Sequence, residues 1–277
     1  MKKIGFIMKI ITFFKRIFTP EPEKPFVYGL FCCISFAINK YSQGPLRGCL
    51  NDQKKIVARI KQFWSQFVFR LFQDSDATWQ RFEAEILRAF ENMPTGWLVI
   101  HYSGHGTYKR NPREIDGFSE AFYFHNGSYA DYQLYELMKK KPAGLKVTFI
   151  LDCCFSTGIT IPRVKHNPHY KQARFLASEP MPENFKVSKR AIIEEDIDWI
   201  VFAACGERET AADAYINGDY TGAFTWYFTQ VMRPGVFFAN WQKDVDKYLP
   251  SKDFQQSPSL TGSNKLMHEL PFEMPAA

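Results

Sequence analysis

A histidine and a cysteine, each placed just after an apolar and β-prone run, are the side chains of this chain best suited to chemistry. His105 lies in the segment Tyr-Ser-Gly-His-Gly, and Cys154 lies in the segment Asp-Cys-Cys-Phe-Ser. A free thiol is only slightly ionised at neutral pH, so it attacks a carbonyl only when a base or a charge partner stands beside it. The two segments therefore predict a cysteine nucleophile paired with an imidazole, as in a cysteine peptidase.

Alternating strands and helices indicate how these side chains meet. The apolar runs 97–101 and 146–151 are typical of buried strands, and an amphipathic helix is predicted between them at 131–140. This alternation predicts an α/β fold with a mostly parallel central sheet and helices on both faces. Functional residues of such sheets lie at the carboxyl ends of strands, where His105 and Cys154 both fall. Further strands are predicted at 26–38, 69–72, 121–124 and 197–204, further helices at 52–67, 77–92, 223–232 and 241–249, and an edge strand with a loop from 257 onward.

Composition excludes several other classes of protein. The 277 residues are 45% hydrophobic, enough for a full core, and the net charge of +6 is spread along the chain, so nucleic-acid binding is not expected. The six cysteines include two adjacent pairs inside apolar runs, which favours a reducing, cytoplasmic environment over a disulfide framework. No paired Cys-x-x-Cys motif is present, and glycines flank His105, so a Cys/His metal protein with bound zinc is the weaker alternative.

The first nineteen residues differ from the rest of the chain. Residues 1–19 are apolar with five basic residues and no acidic one, and on a helix Lys2, Lys9 and Arg16 fall on one stripe. This pattern is typical of a cationic helix that lies in a membrane interface; a helix packed on the domain or on a partner is the equal alternative. Residues 20–25 contain three prolines and are predicted to be a linker. One globular domain is expected over 26–277.

Five short motifs, taken together, identify a family. In chain order they are Ile38-Asn39-Lys40-Tyr41, Leu46-Arg47-Gly48-Cys49-Leu50-Asn51-Asp52, His101-Tyr102-Ser103-Gly104-His105-Gly106, Asp152-Cys153-Cys154-Phe155-Ser156 and Gly222-Ala223-Phe224-Thr225. The chain resembles a caspase-type cysteine peptidase, more specifically a metacaspase or its bacterial counterpart, the orthocaspase, over most of residues 26–272. The resemblance implies the caspase-like fold, proteolysis as the activity and a role in regulated cell death or defence.

The resemblance also assigns catalytic roles. It implies that Cys154 is the nucleophile and that Cys153 is a packed neighbour. It implies that His105 handles protons and delivers one to the leaving amine. The backbone amides of Gly106 and Cys154 would then hold the developing oxyanion.

The pocket for the substrate residue before the cleaved bond is implied in the same way. Asp52 and Asp152 match the two acidic positions of the metacaspase pocket, and Cys49 and Ser103 match its other polar walls. Two carboxylates at the base of a pocket require a cation, so cleavage after Arg or Lys in protein or peptide substrates is expected. A helix cap for Asp52 and a strand-end turn for Asp152 are the structural alternatives.

The segment 162–195 joins the large and small portions of the family's domain. It contains four prolines and many basic residues, which is typical of a long exposed loop. An enzyme that cuts after basic residues could process itself there, and an ordinary solvated loop is the alternative. The basic candidates are Arg163, Lys165, Lys171, Arg174, Lys186, Lys189 and Arg190.

Two departures from the family pattern lie near the nucleophile. Phe155 stands where the family usually has histidine, and Thr157 is an insertion. Many metacaspases need calcium, and Asp116, Glu120 and Asp131 match some of its ligands, but 159–161 offers no carboxylate. Weak or absent calcium dependence and no other cofactor are therefore expected. A catalytically silent caspase-like module that binds partners or scaffolds a membrane complex is the alternative function.

Overall fold

The computed structural model describes residues 26–111, 118–154, 171–176, 197–206 and 209–274. The predicted helix 1–19 and the linker 20–25 lie outside the described residues. Among the described residues, no helix combines the length and the apolar character that crossing a membrane would need.

The described elements follow the predicted alternation, with boundaries shifted by a few residues. The strands are β1 (Phe31–Ala37), β2 (Val68–Gln73), β3 (Thr95–Ser103), β4 (His105–Arg110), β5 (Phe118–Phe124), β6 (Gly127–Ala130), β7 (Gly144–Asp152), β8 (Lys171–Ala173), β9 (Ile200–Ala203), β10 (Ala212–Ile216), β11 (Asp219–Gly222) and β12 (Ser259–Gly262). The helices are α1 (Cys49–Phe63), α2 (Trp79–Asn92), α3 (Asp131–Met138), α4 (Ala223–Val231), α5 (Phe238–Val245) and α6 (Asn264–Met267), with a 3₁₀ turn at Asp74–Asp76.

The central sheet has six strands in the order β12-β9-β7-β3-β1-β2. All neighbours are parallel except β12, which runs antiparallel to β9 at the edge, as predicted for the segment after 257. The expected α/β architecture with a mostly parallel sheet is therefore confirmed. The register places Ser103 opposite Asp152, so two predicted pocket residues are neighbours at the carboxyl ends of β3 and β7.

Strict alternation along the central strands divides the core into two layers. In β3, Leu98 and Ile100 face one apolar cluster, whereas Trp97 and Val99 face the other, because successive strand side chains point to opposite faces. Helix α2 covers the first face, and α1, α4 and α5 cover the second. The neighbouring cysteines Cys153 and Cys154 are divided in the same way.

Two small antiparallel sheets flank the carboxyl edge of the central sheet. Their orders are β4-β5-β6 and β11-β10-β8. Sequence analysis missed β4, β6, β8, β10 and β11, because each has only three to six residues and lacks a long apolar run.

The prediction that 162–195 is one exposed loop is wrong for its described part. Residues 171–173 form β8 and pair with β10, and Arg174 is fully buried. Arg174 is buried for two reasons. The backbone of β8 pairs with β10, and the Arg174 guanidinium contacts buried carboxylates. The rest of the segment lies outside the described residues.

Candidate active site

Three buried carboxylates, two of them predicted pocket residues, surround a guanidinium of the same chain. Arg174 Nη2 lies 2.6 Å from Asp52 Oδ2 and 2.9 Å from Asp213 Oδ1. Its Nη1 lies 3.1 Å from Asp152 Oδ1 and donates to Ser103 Oγ at 2.8 Å. All five side chains are fully buried. Charge-assisted contacts of this kind are the strong ones in a dry site.

Asp52 is not a helix cap, so the structural alternative for this residue is wrong. It lies inside α1, whose N-cap is Gly48 without a side-chain cap bond. Its Oδ1 accepts from the Thr221 hydroxyl at 2.7 Å and from the Gly222 N–H at 2.8 Å, and its Oδ2 faces the guanidinium. The carboxylate thus connects α1 to the end of β11 as well as lining the pocket.

Asp152 combines a structural contact with its place in the pocket. Its Oδ2 accepts from the backbone N–H of Thr225 at 3.0 Å and from its hydroxyl at 2.6 Å, in the first turn of α4. A β-carbon at Gly222 would collide with this carboxylate, so glycine permits the close approach. Burial raises the pKa of Asp152 to about 6, while the Arg174 guanidinium acts in the opposite direction. Asp152 is thus a pocket carboxylate that can take up a proton near neutral pH.

Cys49 lies against the same cluster. It is the first residue of α1 and is fully buried. Burial raises the pKa of its thiol well above the ordinary value, and the nearby Arg174 guanidinium lowers it. The structure therefore brings together all four predicted pocket residues, Asp52, Asp152, Cys49 and Ser103.

Asp213 is the pocket carboxylate that sequence analysis missed. It lies in β10, and its two oxygens accept from the backbone N–H groups of Arg47 at 2.8 Å and Gly48 at 2.9 Å. The available signal was a lone carboxylate inside the run Ala-Ala-Asp-Ala-Tyr, because an acidic residue within a buried strand needs a partner.

The two predicted oxyanion donors converge on one backbone carbonyl. The N–H groups of Gly106 and Cys154 lie 2.9 Å and 3.3 Å from the carbonyl oxygen of Arg174. A β-carbon at Gly106 would collide with the backbone carbonyl of Cys154, so only glycine allows these two segments to approach. Arg174 therefore places its side chain among the carboxylates and its carbonyl oxygen at the amides of Gly106 and Cys154.

The thiol of Cys154 is directed toward Ala211. Its sulfur accepts from the Ala211 N–H at 2.9 Å and lies 3.4 Å from the Ala211 carbonyl oxygen. Burial raises the pKa of this thiol well above its ordinary value. Cys153 is fully buried in the core layer on the opposite face, as expected of a packed neighbour. In this arrangement Cys154 is therefore a protonated thiol.

His105 begins β4 and is also buried. Its Nε2 lies 2.6 Å from the Gly44 carbonyl oxygen, which can only accept, so Nε2 carries the proton and Nδ1 holds the lone pair. Nδ1 is buried and has no hydrogen-bond partner among the described residues. Burial lowers the pKa of His105, whereas the carbonyls of Gly44 and Arg174 raise it. The ring is therefore a neutral imidazole with one nitrogen free to take a proton.

The imidazole and the thiol do not hydrogen-bond to each other in this arrangement. The described bonds of the thiol go to the Ala211 backbone and to the Cys205 side chain, and that of the imidazole goes to Gly44. Both residues nevertheless adjoin the same carbonyl, because Cys154 donates its amide to Arg174 and the Arg174 carbonyl influences the pKa of His105.

No cluster of three or more His, Cys, Asp or Glu side chains suited to a metal occurs in the described parts of the chain. Of the calcium candidates, Asp116 lies outside the described residues, Glu120 lies in β5 and Asp131 begins α3. The expectation of weak calcium dependence stays a prediction.

The family model and the sequence relatives that match this chain agree with each other. Residues 31–266 match a family model described as "Caspase domain". Metacaspase-1 of Coccidioides immitis is 27% identical over 288 residues, covering 86% of this chain and 62% of that protein. Metacaspase-5 of Trypanosoma cruzi is 24% identical over 263 residues, covering 84% and 57%. The chain thus spans about three fifths of the length of these two relatives.

Solved structures resemble the fold. Protein GSU0716 from Geobacter sulfurreducens superimposes with a TM-score of 0.65 at 18% identity, covering 87% of this chain and 98% of that one. Caspase-1 from Spodoptera frugiperda superimposes with a TM-score of 0.56 at 14% identity, covering 91% and 94%. At these identities the likeness concerns the fold alone.

The first prediction concerns the need of the pocket for a cation. Replacing Arg174 by Ala leaves three buried carboxylates without a countercharge, which should lower the free energy of unfolding by about 3 kcal/mol. Agmatine, a small guanidinium compound, should restore part of this loss. Thermal unfolding with and without agmatine, in a Cys154→Ala background, measures both effects. Lys171→Ala removes an exposed charge from the same segment and is the matched control. Equal stability of the Arg174→Ala and control proteins would contradict the assignment.

The second prediction concerns His101, which lies in β3 with both ring nitrogens buried. Its Nδ1 lies 2.7 Å from Ser35 Oγ, and its Nε2 has no hydrogen-bond partner among the described residues. Burial lowers its pKa from 6.5 to about 4. Between these values the unfolded chain binds more protons, so this residue makes stability fall as the pH drops.

The expected size of the His101 effect is about 2–3 kcal/mol between pH 7.5 and 4.5. Between pH 7.5 and 4.5, the free energy of unfolding of a His101→Gln variant should therefore fall by about 2–3 kcal/mol less than that of the wild type. Other groups such as Asp152 titrate in both proteins, so their contributions cancel in this difference. Urea unfolding of both proteins at the two pH values is the measurement. Parallel pH profiles would show that His101 does not titrate as its burial requires.

Proposed function

The chain belongs to the caspase-domain family, and we propose that it is a cysteine endopeptidase that hydrolyses peptide bonds after arginine and, less efficiently, after lysine. One observation supports this most directly. The Arg174 side chain fills a pocket of three carboxylates, while its carbonyl oxygen accepts from the amides of Gly106 and Cys154. A substrate arginine would need both contacts at once. The metacaspase relatives support the same class of activity.

The reaction that these groups support begins with proton transfer. Nδ1 of His105 accepts the proton of the Cys154 thiol, and the sulfur attacks the carbonyl carbon of the substrate arginine. The oxygen becomes an oxyanion held by the Gly106 and Cys154 amides. When the intermediate collapses, the C–N bond breaks and His105 gives its proton to the leaving amine. Water then hydrolyses the thioester, which releases the carboxylic acid and restores the thiol.

The geometry of the pocket favours arginine over lysine. The two terminal nitrogens of the guanidinium contact different acceptors. Nη2 bridges the carboxylates of Asp52 and Asp213, and Nη1 faces the Asp152 carboxylate and the Ser103 hydroxyl. A lysine ammonium is a single point charge and cannot occupy both positions. An acidic substrate side chain would be repelled by the same carboxylates.

The position of Arg174 also supports self-processing at one bond of the basic segment. Arg174 is the candidate whose carbonyl lies at the two amides, so the bond that would be cut is Arg174–Phe175. Reaction requires the Cys154 sulfur to turn from Ala211 toward this carbonyl. Because nucleophile and carbonyl belong to one chain, the reaction is intramolecular and gains from proximity. The other basic candidates of 162–195, apart from Lys171, lie outside the described residues.

The third prediction is a specific cut. On incubation, purified wild-type protein should be cleaved into two fragments, one ending at Arg174 and the other beginning at Phe175. Intact-mass spectrometry measures the masses of both fragments. Cys153→Ala should behave like wild type, because that thiol lies in the opposite core layer. Cys154→Ala and His105→Ala should remain whole. Cleavage in Cys154→Ala, or at another bond alone, would contradict the proposal. Incubation with and without EDTA tests the expectation of weak calcium dependence in the same experiment.

The fourth prediction concerns selectivity for arginine. Wild-type enzyme should cleave a coumarin peptide ending in Arg with a kcat/KM at least about tenfold above that for the matching Lys peptide. Asp213→Asn should lower kcat/KM for the Arg peptide by about ten- to a hundredfold and change the Lys peptide far less, since it weakens one side of the Nη2 bridge. The Lys peptide reports on a folded active site. Equal losses for both peptides would exclude a selective role for Asp213, and no turnover of either by wild type would favour the catalytically silent module.

A further inference from the structure

The described segment 171–176 crosses the site as an extended chain on both sides of the Arg174–Phe175 bond. Before the bond, β8 pairs antiparallel with β10, and the Arg174 N–H donates to the Ala211 carbonyl at 3.0 Å. After the bond, Phe175 forms a parallel bridge with Gly106, and the Leu176 N–H donates to the Gly106 carbonyl at 3.0 Å. These backbone bonds would hold any extended peptide, so selectivity must come from side chains.

The side chain after the bond contacts an aromatic ring. The rings of Phe175 and Tyr108 have centroids 5.5 Å apart and are tilted by 54°, a favourable geometry for an aromatic pair. Tyr108 lies in β4, directly beyond Gly106 and Thr107, and only 5% of it is exposed. Phe175 packs against the apolar core layer that contains Cys154. The position after the cleaved bond is thus lined by apolar surface, although the proposed chemistry does not need it.

A second contact lies three residues before Arg174. Lys171 places its Nζ 4.9 Å from the centre of the Phe254 ring and donates to the Asp253 carbonyl. Lys171 is exposed, so this contact is weaker than the aromatic pair. A ring face and a carbonyl both favour a cation at this position.

We propose that the enzyme recognises two substrate residues besides the arginine: an aromatic residue directly after the cleaved bond, through Tyr108, and a basic residue three positions before the arginine, through Phe254. The proposal rests on the proposed peptidase function. It identifies the substrate class as extended segments similar to the chain's own Lys-Gln-Ala-Arg-Phe-Leu.

Internally quenched peptides test the proposal with the full-length enzyme. The reference peptide is Lys-Gln-Ala-Arg-Phe-Leu; one variant carries Ser after the arginine, and another carries Glu in place of Lys. Wild type should cleave the reference peptide with a kcat/KM about tenfold above the Ser peptide and about threefold above the Glu peptide. The chain's own segment competes equally with all three peptides, so the ratios are independent of it.

Variants of the two recognising residues complete the test. Tyr108→Ala should reduce the ratio of kcat/KM between the Phe and Ser peptides to about one, and Tyr108→Phe should keep the preference because the ring remains. Phe254→Ala should abolish the preference for Lys over Glu and should keep the preference for Phe over Ser. Equal cleavage of the Phe and Ser peptides by wild type, or a preference that survives Tyr108→Ala, would overturn the inference and leave the proposed function standing. If wild type cleaved none of the peptides, the proposed function itself would fail.

Discussion

One positive charge among three buried carboxylates is the contact on which the rest of the site depends. Asp52, Asp152 and Asp213 come from a helix, a central strand and a peripheral strand, and all three are fully buried. Burying ionised groups costs several kcal/mol each unless partners compensate, and like charges this close repel. The Arg174 guanidinium provides the compensation. A pocket built in this way requires a cation for its own stability, and the proposed selectivity for arginine rests on that requirement.

The same carboxylates also hold the surrounding backbone. Asp52 receives the Gly222 amide, Asp213 receives the Gly48 amide, and Asp152 receives the amide of Thr225 at the start of α4. Each acidic side chain therefore joins the pocket to the beginning or end of an element. Pocket geometry and domain packing depend on the same atoms, so substitutions in the pocket are expected to affect stability and specificity together.

The proposed nucleophile, Cys154, and the proposed proton acceptor, His105, are both electrically neutral in this arrangement. Burial keeps the Cys154 thiol protonated and the His105 imidazole uncharged; the thiol bonds to Ala211 and Cys205, and the imidazole bonds to Gly44. A segment of the chain lies across the site, so water has little access to either group. Neutral partners cost less to bury than a thiolate and an imidazolium, which explains how a dry site can hold both before reaction.

The sequence by itself determined the central layers and supplied most residues of the proposed site. Apolar runs in β3 and β7, motifs at their carboxyl ends and the family resemblance located Ser103, Asp152, His105 and Cys154, because each of these signals is local. The tertiary structure alone decided that Arg174 enters the pocket and that Asp213 completes it. These two residues are 39 positions apart and meet because a three-residue polar strand pairs with β10 through backbone hydrogen bonds. Such bonds are independent of side-chain pattern, so a basic, proline-containing stretch resembles an exposed loop until the fold places carboxylates around its arginine.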